Sequence, residues 1–308
     1  MAMDLRLDQI ERLSHTLDPT FRDSPQFTAE LAGRPVLVKI ETMNPLHCFK
    51  GRGATAFTAG LAPGVTVVVA SSGNFGQAMA YACNRKEIAI EVFLPENVNP
   101  AKLAAIRSFG AGVHVSGVDG DAAKQHASAY AAERSDRLLV RDGDESLIAE
   151  GAGTIGVELL RAGPLDTVVV PVGDGALING IARWIKAHSP STRVVGVGST
   201  GAQAMLHSWR AGEPVRRPVT TIADGIAIGS PLPESVRWMR KLVDDIVLVD
   251  DSALLAAMGT ALRGVGVRLE PAGAAGLAAL GQVPGDRVAV VLTGGNPRPG
   301  QLEAVMAA

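Results

Sequence analysis

The chain has 308 residues, with 29 lysines and arginines against 31 aspartates and glutamates, so its formal net charge is -2. This balance argues against a protein that binds nucleic acid or a membrane surface, because such proteins usually have an excess of basic residues. No apolar run approaches the roughly 18 residues of a membrane-spanning helix. Apolar residues make up 47% of the chain, aromatic residues only 4%, and there are 35 glycines, a composition that suits an α/β protein.

Short runs rich in β-branched residues recur along the chain and predict strands. The predicted strands are Val36–Ile40, Val65–Ala70, Ile88–Leu94, Val113–Ser116, Leu138–Val140, Thr167–Val172, Val194–Val197, Ile246–Val249 and Val288–Leu292. Several are apolar at every position, which is typical of strands covered on both faces. Helical patterns lie between them, and about nine strands exceed one comfortable open sheet. The sequence therefore predicts an α/β fold of two doubly wound domains with mostly parallel sheets.

The first unusual strand-to-helix turn has the sequence NPLHCFKGRGA and contains Lys50. It places a cation at a helix N-terminus, where the helix dipole disfavours positive charge, and the flanking Gly51 and Gly53 weaken the helix start. One interpretation is a surface lysine that extends its amine into water. The other is a partly desolvated amine that acts as a nucleophile.

Two further turns present backbone N–H groups at helix starts. Ser71–Asn74, with the sequence SSGN, follows an apolar strand, and Gly173–Ala176 forms a tight loop after another. Either turn can bind an anion, or it can be an ordinary N-cap or Gly-rich turn. A fourth feature is Thr293, which begins a TGGN segment at the carboxyl end of the last strand, where ligands of open α/β sheets bind.

These four motifs, in this order, resemble those of the fold type II pyridoxal phosphate enzymes, the tryptophan synthase β-like family. Phe49–Ala54 (FKGRGA) is similar to the FKxRGA of threonine/serine dehydratases and serine racemases. Thr221–Gly225 (TIADG) and Glu270–Gly273 (EPAG) match stretches of the same subgroup. The resemblance runs from about Val36 to Asn296.

The resemblance implies a role for each matching position. Lys50 would hold pyridoxal 5'-phosphate as a Schiff base and move the Cα proton, with Ser72 as a second acid/base. The positions expected at the cofactor are Phe49, Lys50, Asn74, Gly173, Asp174, Gly175, Ala176, Leu177 and Thr293. The positions expected at the substrate are Ser71, Ser72, Gly73 and Asn74. The neutral Thr293 hydroxyl, expected to face the pyridine nitrogen, suits elimination over transamination.

Three positions depart from the family pattern. Phe75 replaces a histidine that is common after SGN, and Gly198 stands where related racemases carry the glutamate of a divalent-cation site, so no metal is expected. Asp174 stands where dehydratases usually have glycine. Its carboxylate either turns outward or reaches toward the substrate's β-substituent, because a carboxylate and a phosphate in one pocket repel each other.

The resemblance implies α,β-elimination from a β-hydroxy or β-substituted amino acid such as threonine or serine, giving a 2-oxo acid and ammonia. Three alternatives remain open at this stage. The first is a serine-type racemase that uses Lys50 and Ser72, the second is a β-replacement synthase, and the third is a catalytically inactive, cofactor-binding regulatory protein.

The family organisation implies a small domain, residues 42–130, inserted into a large domain formed by residues 1–41 and 131–308, with the site in the cleft between them. A homodimer is usual in the family. Cys48 and Cys83 cannot form a disulfide framework, which favours the cytoplasm. The expected partner is a small amino-acid substrate, with neither nucleic acid nor membrane.

Overall fold

The computed structural model describes residues 4–96, 98 and 100–307, which form two sheets with helices packed around them. The strands are β1 (Gln26–Leu31), β2 (Arg34–Ile40), β3 (Thr66–Ala70), β4 (Ala89–Leu94), β5 (Gly112–Val115), β6 (Arg137–Leu139), β7 (Thr167–Pro171), β8 (Arg193–Ser199), β9 (Asp245–Val249) and β10 (Val288–Leu292). The helices are α1 (Leu7–Thr16), α2 (Lys50–Thr58), α3 (Asn74–Arg85), α4 (Pro100–Ser108), α5 (Gly120–Ala132), α6 (Ser146–Arg161), α7 (Ala176–His188), α8 (Ala204–Ala211), α9 (Pro233–Leu242), α10 (Asp251–Val265), α11 (Pro271–Ala278) and α12 (Gln301–Ala307).

The larger sheet has six strands in the order β1-β2-β10-β7-β8-β9, and all neighbours except β1 and β2 are parallel. Every residue of β7 and β10 is buried. Successive residues point to opposite faces, so Val168 and Val170 join one apolar core and Val169 joins the other. The apolar strands are continuous because helices cover both faces of the sheet.

The smaller sheet has four parallel strands in the order β5-β4-β3-β6. In both sheets the chain order reverses at one point, between β7 and β10 in the larger sheet and between β3 and β6 in the smaller. Ligands of open parallel sheets bind beyond the carboxyl ends of the strands at such a point. The segments that leave these four strands, residues 71–74, 140–144, 172–176 and 293–296, carry most of the candidate site residues.

The antiparallel edge strand β1 was not predicted. It pairs with β2 through a two-residue turn, in which both Ala32 and Gly33 have positive φ, at 52° and 75°. Positive φ at both positions is the conformation of the tight hairpin turn. The sequence signal is weak because β1 is a largely solvent-exposed strand and an alanine takes a position that usually holds asparagine or aspartate.

The structure confirms the predicted α/β class with mostly parallel sheets, and each of the nine predicted strands overlaps an observed one. The division into residues 1–41 with 131–308 and residues 42–130 stays a prediction. Because β6 pairs with β3, the strand pairing would move the second boundary past Leu139. No helix in the described part of the chain combines the length and apolar character needed to cross a membrane.

Candidate active site

Lys50 is anchored to the larger sheet by backbone pairing. The N–H of Phe49 donates to the carbonyl of Thr293 at 3.0 Å, and Cys48 forms an antiparallel bridge with Gly294. Helix α2 begins directly at Lys50. Two of the predicted cofactor positions, Phe49 and Thr293, are therefore held beside the predicted lysine by main-chain hydrogen bonds.

The glycines around Lys50 allow α2 to pack closely against α6. A Cβ atom on Gly53 would lie 2.6 Å from the carbonyl oxygen of Ile148, and one on Gly151 would lie 2.7 Å from the carbonyl oxygen of Arg52. Neither distance is possible for a real side chain. The glycines cost helix stability, as the sequence indicates, but they bring the two helices together and so fix the direction in which Lys50 leaves α2.

Arg52 belongs to a buried charge network formed by Lys39, Glu41, Arg52 and Glu158. Its side chain is fully buried and donates to Glu41 at 2.8 Å and to Glu158 at 2.6 Å, while Lys39 also pairs with Glu158. Burial alone would raise the pKa of Glu158, but hydrogen bonds and positive charge from Arg52 and Lys39 outweigh it and lower the pKa to about 2. In this network two cations balance two carboxylates.

The side chain of Lys50 lies in the cleft between the sheets and is 16% exposed. Its Nζ contacts the carboxylate of Asp142 and lies 4.7 Å from the ring centre of Phe49 and 5.9 Å from that of Phe75. A surface lysine would extend its amine into water instead. The surroundings fit the partly desolvated amine of the second interpretation, and the nucleophilic role itself stays a prediction.

Asp142 was not predicted as a site residue. It follows β6 and is 9% exposed. One carboxylate oxygen, Oδ2, contacts Lys50. The other, Oδ1, is buried and has no hydrogen-bond partner within the residues that the structure describes. A buried acceptor without a donor is costly, so Asp142 keeps an unused hydrogen-bond acceptor next to Lys50.

Asp174 lies next to Asp142. Gly143 has a left-handed φ of 92°, and a Cβ atom there would lie 2.8 Å from the carbonyl oxygen and 3.2 Å from the Cβ of Asp174. Burial, reinforced by the negative charge of Asp142, raises the pKa of Asp174 to about 7, although Lys50 opposes the shift. Asp174 is half-buried, and the charge of Asp142 acts on it, so the two carboxylates are neighbours. Which of the two predicted orientations its side chain takes stays a prediction. We call Asp142 and Asp174 the cleft carboxylates.

The loop of residues 173–177 follows β7 and opens α7, with Gly175 in the left-handed conformation at φ 95°. In the described part of the chain, the N–H groups of residues 173–175 donate to no other group of the protein. A Cβ atom on Gly173 would lie 2.4 Å from the carbonyl oxygen of Gly225, so the backbone is tightly packed there. Free N–H groups at a helix N-terminus are the donors that a phosphate group takes.

Asn74, the first residue of α3, is oriented by two partners. Its side-chain nitrogen donates to Glu270 at 2.7 Å, and its oxygen accepts from the amide of Asn296 at 2.9 Å. Burial raises the pKa of Glu270 to about 7, although Lys102 and the hydrogen bond from Asn74 oppose the shift. A Cβ atom on Gly294 would lie 2.2 Å from an oxygen of Glu270, so no other residue fits at that position without a local shift.

The predicted substrate-binding segment, Ser71–Gly73, forms the turn between β3 and α3. The Ser71 hydroxyl accepts from the N–H of Gly73 at 3.3 Å. A Cβ atom on Gly76 would lie 2.1 Å from the carbonyl oxygen of Ser71, which keeps the turn tight. The Ser72 hydroxyl makes no hydrogen bond within the described residues. It is therefore free to meet a ligand.

The structure thus brings Phe49, Lys50 and Thr293 together, and it brings Asp174 near Lys50 through Asp142. The contacts of Ser71–Gly73 lie within their own turn. Three side chains with site contacts were not predicted, namely Asp142, Glu270 and Asn296. Glu270 and Asn296 stand in the quoted EPAG and TGGN segments. The signal for Asp142 was its position just beyond the predicted strand Leu138–Val140.

The residues fit pyridoxal 5'-phosphate, the cofactor that the resemblance implies. The cleft offers an amine, two neighbouring aromatic rings, and a loop of unpartnered N–H groups for a phosphate. Gly173 and Gly294 stand where side chains would collide with the surrounding backbone or with Glu270. In this arrangement Lys50 would bind the cofactor covalently, residues 173–177 would hold its phosphate, and Asn74 would contact the ring hydroxyl.

Comparison with known proteins gives the same cofactor. A family model described as "Pyridoxal-phosphate dependent enzyme" matches residues 17–294. The chain is 36% identical over 280 residues to the L-threonine ammonia-lyase of Geobacter sulfurreducens, an alignment that covers 87% of this chain and 69% of that protein. It spans only 54–55% of the length of several biosynthetic L-threonine dehydratases that it matches at 33% identity.

Two solved structures share the fold over nearly their whole length. A threonine deaminase from T.th. has a TM-score of 0.88 and 32% sequence identity, with 95% of this chain and 98% of that chain covered. The serine racemase of maize has a TM-score of 0.90 and 28% identity, with 98% and 97% covered. The chain is thus similar both to eliminating enzymes and to a racemase.

Proposed function

Since the chain belongs to the family of pyridoxal-phosphate dependent enzymes, we propose that it catalyses α,β-elimination from a β-substituted amino acid, giving a 2-oxo acid and ammonia. The relatives named for threonine ammonia-lyase and threonine deaminase support an amino acid of this size. The observation that carries the proposal is Lys50. Its amine is partly desolvated, lies against two aromatic rings and a carboxylate, and is fixed beside Thr293.

When bound, pyridoxal phosphate supplies an electron sink that stabilises negative charge at the substrate's α-carbon. Lys50 would hold the cofactor through Nζ and, once the substrate's amino group has replaced it there, would take the proton from Cα. The neutral hydroxyl of Thr293 would face the ring nitrogen and, unlike an aspartic acid, would not protonate it. This would limit the spread of negative charge into the ring and favour loss of the β-group.

The remaining residues of the site bind and orient. Ser71–Gly73 offer hydroxyl and N–H groups at the start of α3, where the helix dipole attracts the substrate's carboxylate. Asn74, held by Glu270 and Asn296, presents its amide in one orientation. Residues 173–177 hold the cofactor phosphate, which keeps the reacting atoms at a fixed distance from Lys50.

The test of this proposal is Lys50→Ala, with the exposed Lys86→Ala as the matched control. Purified protein is incubated with L-threonine and L-serine, 2-oxo acid is measured, and the absorbance of lysine-bound cofactor is recorded. We expect Lys50→Ala to lose both the absorbance band and the turnover, and Lys86→Ala to keep both. Turnover by Lys50→Ala without an added amine would overturn the assignment.

Racemisation is the second candidate, and the Ser72 hydroxyl favours it. That hydroxyl has no partner in the described residues, which leaves it available as a second acid/base, and the maize serine racemase shares the fold. Chiral chromatography of serine incubations separates the two reactions. β-Replacement is less favoured, because FKGRGA and TIADG resemble the dehydratase–racemase subgroup. The joint placement of Lys50 and Thr293 argues against an inactive regulatory protein.

A homodimer and a cytoplasmic location are also proposals. The family resemblance supports the first. The second is supported by the two cysteines, which are free and buried, because burial raises the pKa of both thiols to about 12 and keeps them unreactive. Light scattering of the cofactor-loaded protein tests the dimer, and fractionation of the source cells tests the location.

A further inference from the structure

We propose that the cleft carboxylates, Asp142 and Asp174, bind an ammonium group on the β-carbon of the substrate, so that the substrate class is a 2,3-diamino acid. This inference rests on the proposed function, because it names the leaving group of the same elimination. It departs from the β-hydroxy amino acids that the relatives' names suggest for this subgroup.

Asp142 has the geometry of an incomplete binding site. It is nine-tenths buried, its Oδ2 contacts Lys50, and its Oδ1 is buried with no partner among the described residues. In the cofactor-loaded protein, Nζ of Lys50 is bonded to the cofactor and no longer serves Asp142 as a free ammonium. Once the substrate's amino group has replaced Lys50, the lysine is a free amine again and can serve Oδ2, but Oδ1 still has no donor among the described residues.

The charges at this point do not balance. Lys50 is the cation that contacts this pair of carboxylates, whereas Lys124, the other cation that acts on Asp174, already pairs with Asp121 at 3.2 Å. The neighbouring Asp144 pairs with Arg141 at 3.7 Å, so that arginine already has a carboxylate partner. Burial first, and the charge of Asp142 second, raises the pKa of Asp174 to about 7, so the ionised form of this carboxylate is costly without a further cation. An additional positive charge between the two carboxylates would neutralise one of them.

An ammonium group meets this requirement better than a hydroxyl group does. A hydroxyl donates one hydrogen bond and brings no charge, whereas an ammonium donates three and brings a full positive charge. Hydrogen bonds between charged groups are the stronger kind. A site built for a hydroxyl alone would not need one buried and one half-buried carboxylate side by side, because burial without a counter-charge costs free energy.

The chemistry of the elimination is consistent with this substrate. Lys50 takes the proton from Cα, the electron pair left there becomes the Cα–Cβ double bond, and the Cβ–N bond breaks with its electrons on nitrogen. The β-nitrogen, held as ammonium by the carboxylates, leaves as neutral ammonia and needs no proton from the protein. The β-carbon then takes up a proton, equivalent to the one that Lys50 removed, as the resulting enamine becomes an imine. Water replaces the α-nitrogen, so 2,3-diaminopropanoate and one water give pyruvate and two ammonia molecules.

The first experiment compares kcat/KM for L-2,3-diaminopropanoate and L-serine in the holoenzyme. We expect the diamino acid to be preferred, and Asp142→Asn to lower its kcat/KM about 10- to 100-fold, the range of a lost charged hydrogen bond, while serine changes less than about 3-fold. Asp144→Asn, on the same loop, is the matched control and should keep the ratio. A preference for serine in the unmodified enzyme, or an equal loss for both substrates in Asp142→Asn, would overturn the inference.

The second experiment measures binding without turnover. L-2,4-diaminobutanoate carries its second ammonium one carbon too far for β-elimination, and L-2-aminobutanoate lacks it. By calorimetry on the holoenzyme, we expect the diamino acid to bind at least about 10-fold more tightly, and Asp142→Asn to bring the two dissociation constants within about 2-fold. Asp174→Asn provides the same test if Asp142→Asn does not fold. Equal binding of both ligands by the unmodified enzyme would contradict the inference.

The two proposals fail in different ways. If L-serine and L-threonine yield a 2-oxo acid in a Lys50-dependent reaction, but neither diamino ligand is preferred, the elimination stands and the β-ammonium site is wrong. If diaminobutanoate binds preferentially through Asp142, but no amino acid of either series yields a 2-oxo acid, the cation site stands and the elimination is wrong.

Discussion

The buried charge network and the cleft carboxylates contain similar residue types, but their carboxylates are partnered to different degrees. Each combines lysine or arginine with two carboxylates, and each is reached from α2, through Arg52 in one case and Lys50 in the other. In the buried charge network both carboxylates have charged partners, and the pKa of Glu158 falls. Among the cleft carboxylates one oxygen has no partner within the described residues, and the pKa of Asp174 rises.

This difference separates a structural charge cluster from a ligand site. A buried ion that is fully partnered contributes to the fold and has no capacity left for another molecule. A buried ion that lacks a partner costs free energy until a ligand provides one. Substitutions and changes of pH should therefore affect the two regions differently.

Disrupting the buried charge network should lower the free energy of unfolding more than any other change considered below. Arg52→Met leaves Glu41 and Glu158 with only Lys39 as a cation, so we expect the free energy of unfolding to fall by about 3–5 kcal/mol. Urea unfolding followed by circular dichroism measures it. The control is Arg134→Met, which removes an exposed ion pair and should leave the free energy of unfolding nearly unchanged. An equally small effect of Arg52→Met would mean that the buried charges are not structural.

Acid should weaken the same network. Because the pKa of Glu158 is lowered to about 2 in the folded state, its contribution is fully present above the ordinary value of about 4.5 and is lost as the pH falls toward 2. The loss should reach about 3 kcal/mol. Unfolding free energies measured between pH 6 and pH 2 test this, and in Glu158→Gln this part of the slope should disappear. An unchanged slope would place the acid sensitivity elsewhere.

For the cleft carboxylates, the stability of the fold should change with pH in the opposite direction. The pKa of Asp174 is raised to about 7, so its folded form binds a proton more tightly than the unfolded chain, and stability falls as the pH rises from about 4 to about 7. In cofactor-free protein, Asp174→Asn should therefore gain about 2 kcal/mol over the unmodified chain at pH 8 and nothing at pH 4, after allowance for partial solvent access. Equal effects at both pH values would contradict the assignment.

Ser72→Ala should have the smallest effect on stability, because the hydroxyl has no partner in the described chain. If Lys50 alone removes the Cα proton, elimination from the L-substrate should fall less than about 10-fold, while any racemisation, or activity on the D-isomer, should fall at least about 100-fold. Chiral chromatography and 2-oxo acid release measure the two rates. Equal losses would make Ser72 a carboxylate binder only.

The sequence predicted the strands well, because continuous apolar runs such as Val288–Leu292 are typical of strands that helices cover on both faces. It also identified the motifs that flank the cleft. It could not predict that Asp142 lies against Lys50, because the two are 92 positions apart and meet only through the packing of two sheets. The exposed strand β1 was missed because its residues do not form an apolar run. The sequence also could not predict the charge network of Arg52, because its partners Glu41 and Glu158 lie 11 and 106 positions away and meet it only in the folded chain.

The pairing of Cys48 and Phe49 with the end of β10 has a mechanical consequence. Lys50 is fixed to the frame of the larger sheet, which also carries the 173–177 loop, whereas Ser71–Gly73 and Asp142 follow strands of the smaller sheet. In a rigid-body displacement of the smaller sheet, Lys50 and the proposed phosphate loop would stay stationary, and the groups proposed to bind the substrate would move. Such a displacement would change the affinity for the substrate and leave most of the contacts proposed for the cofactor unchanged.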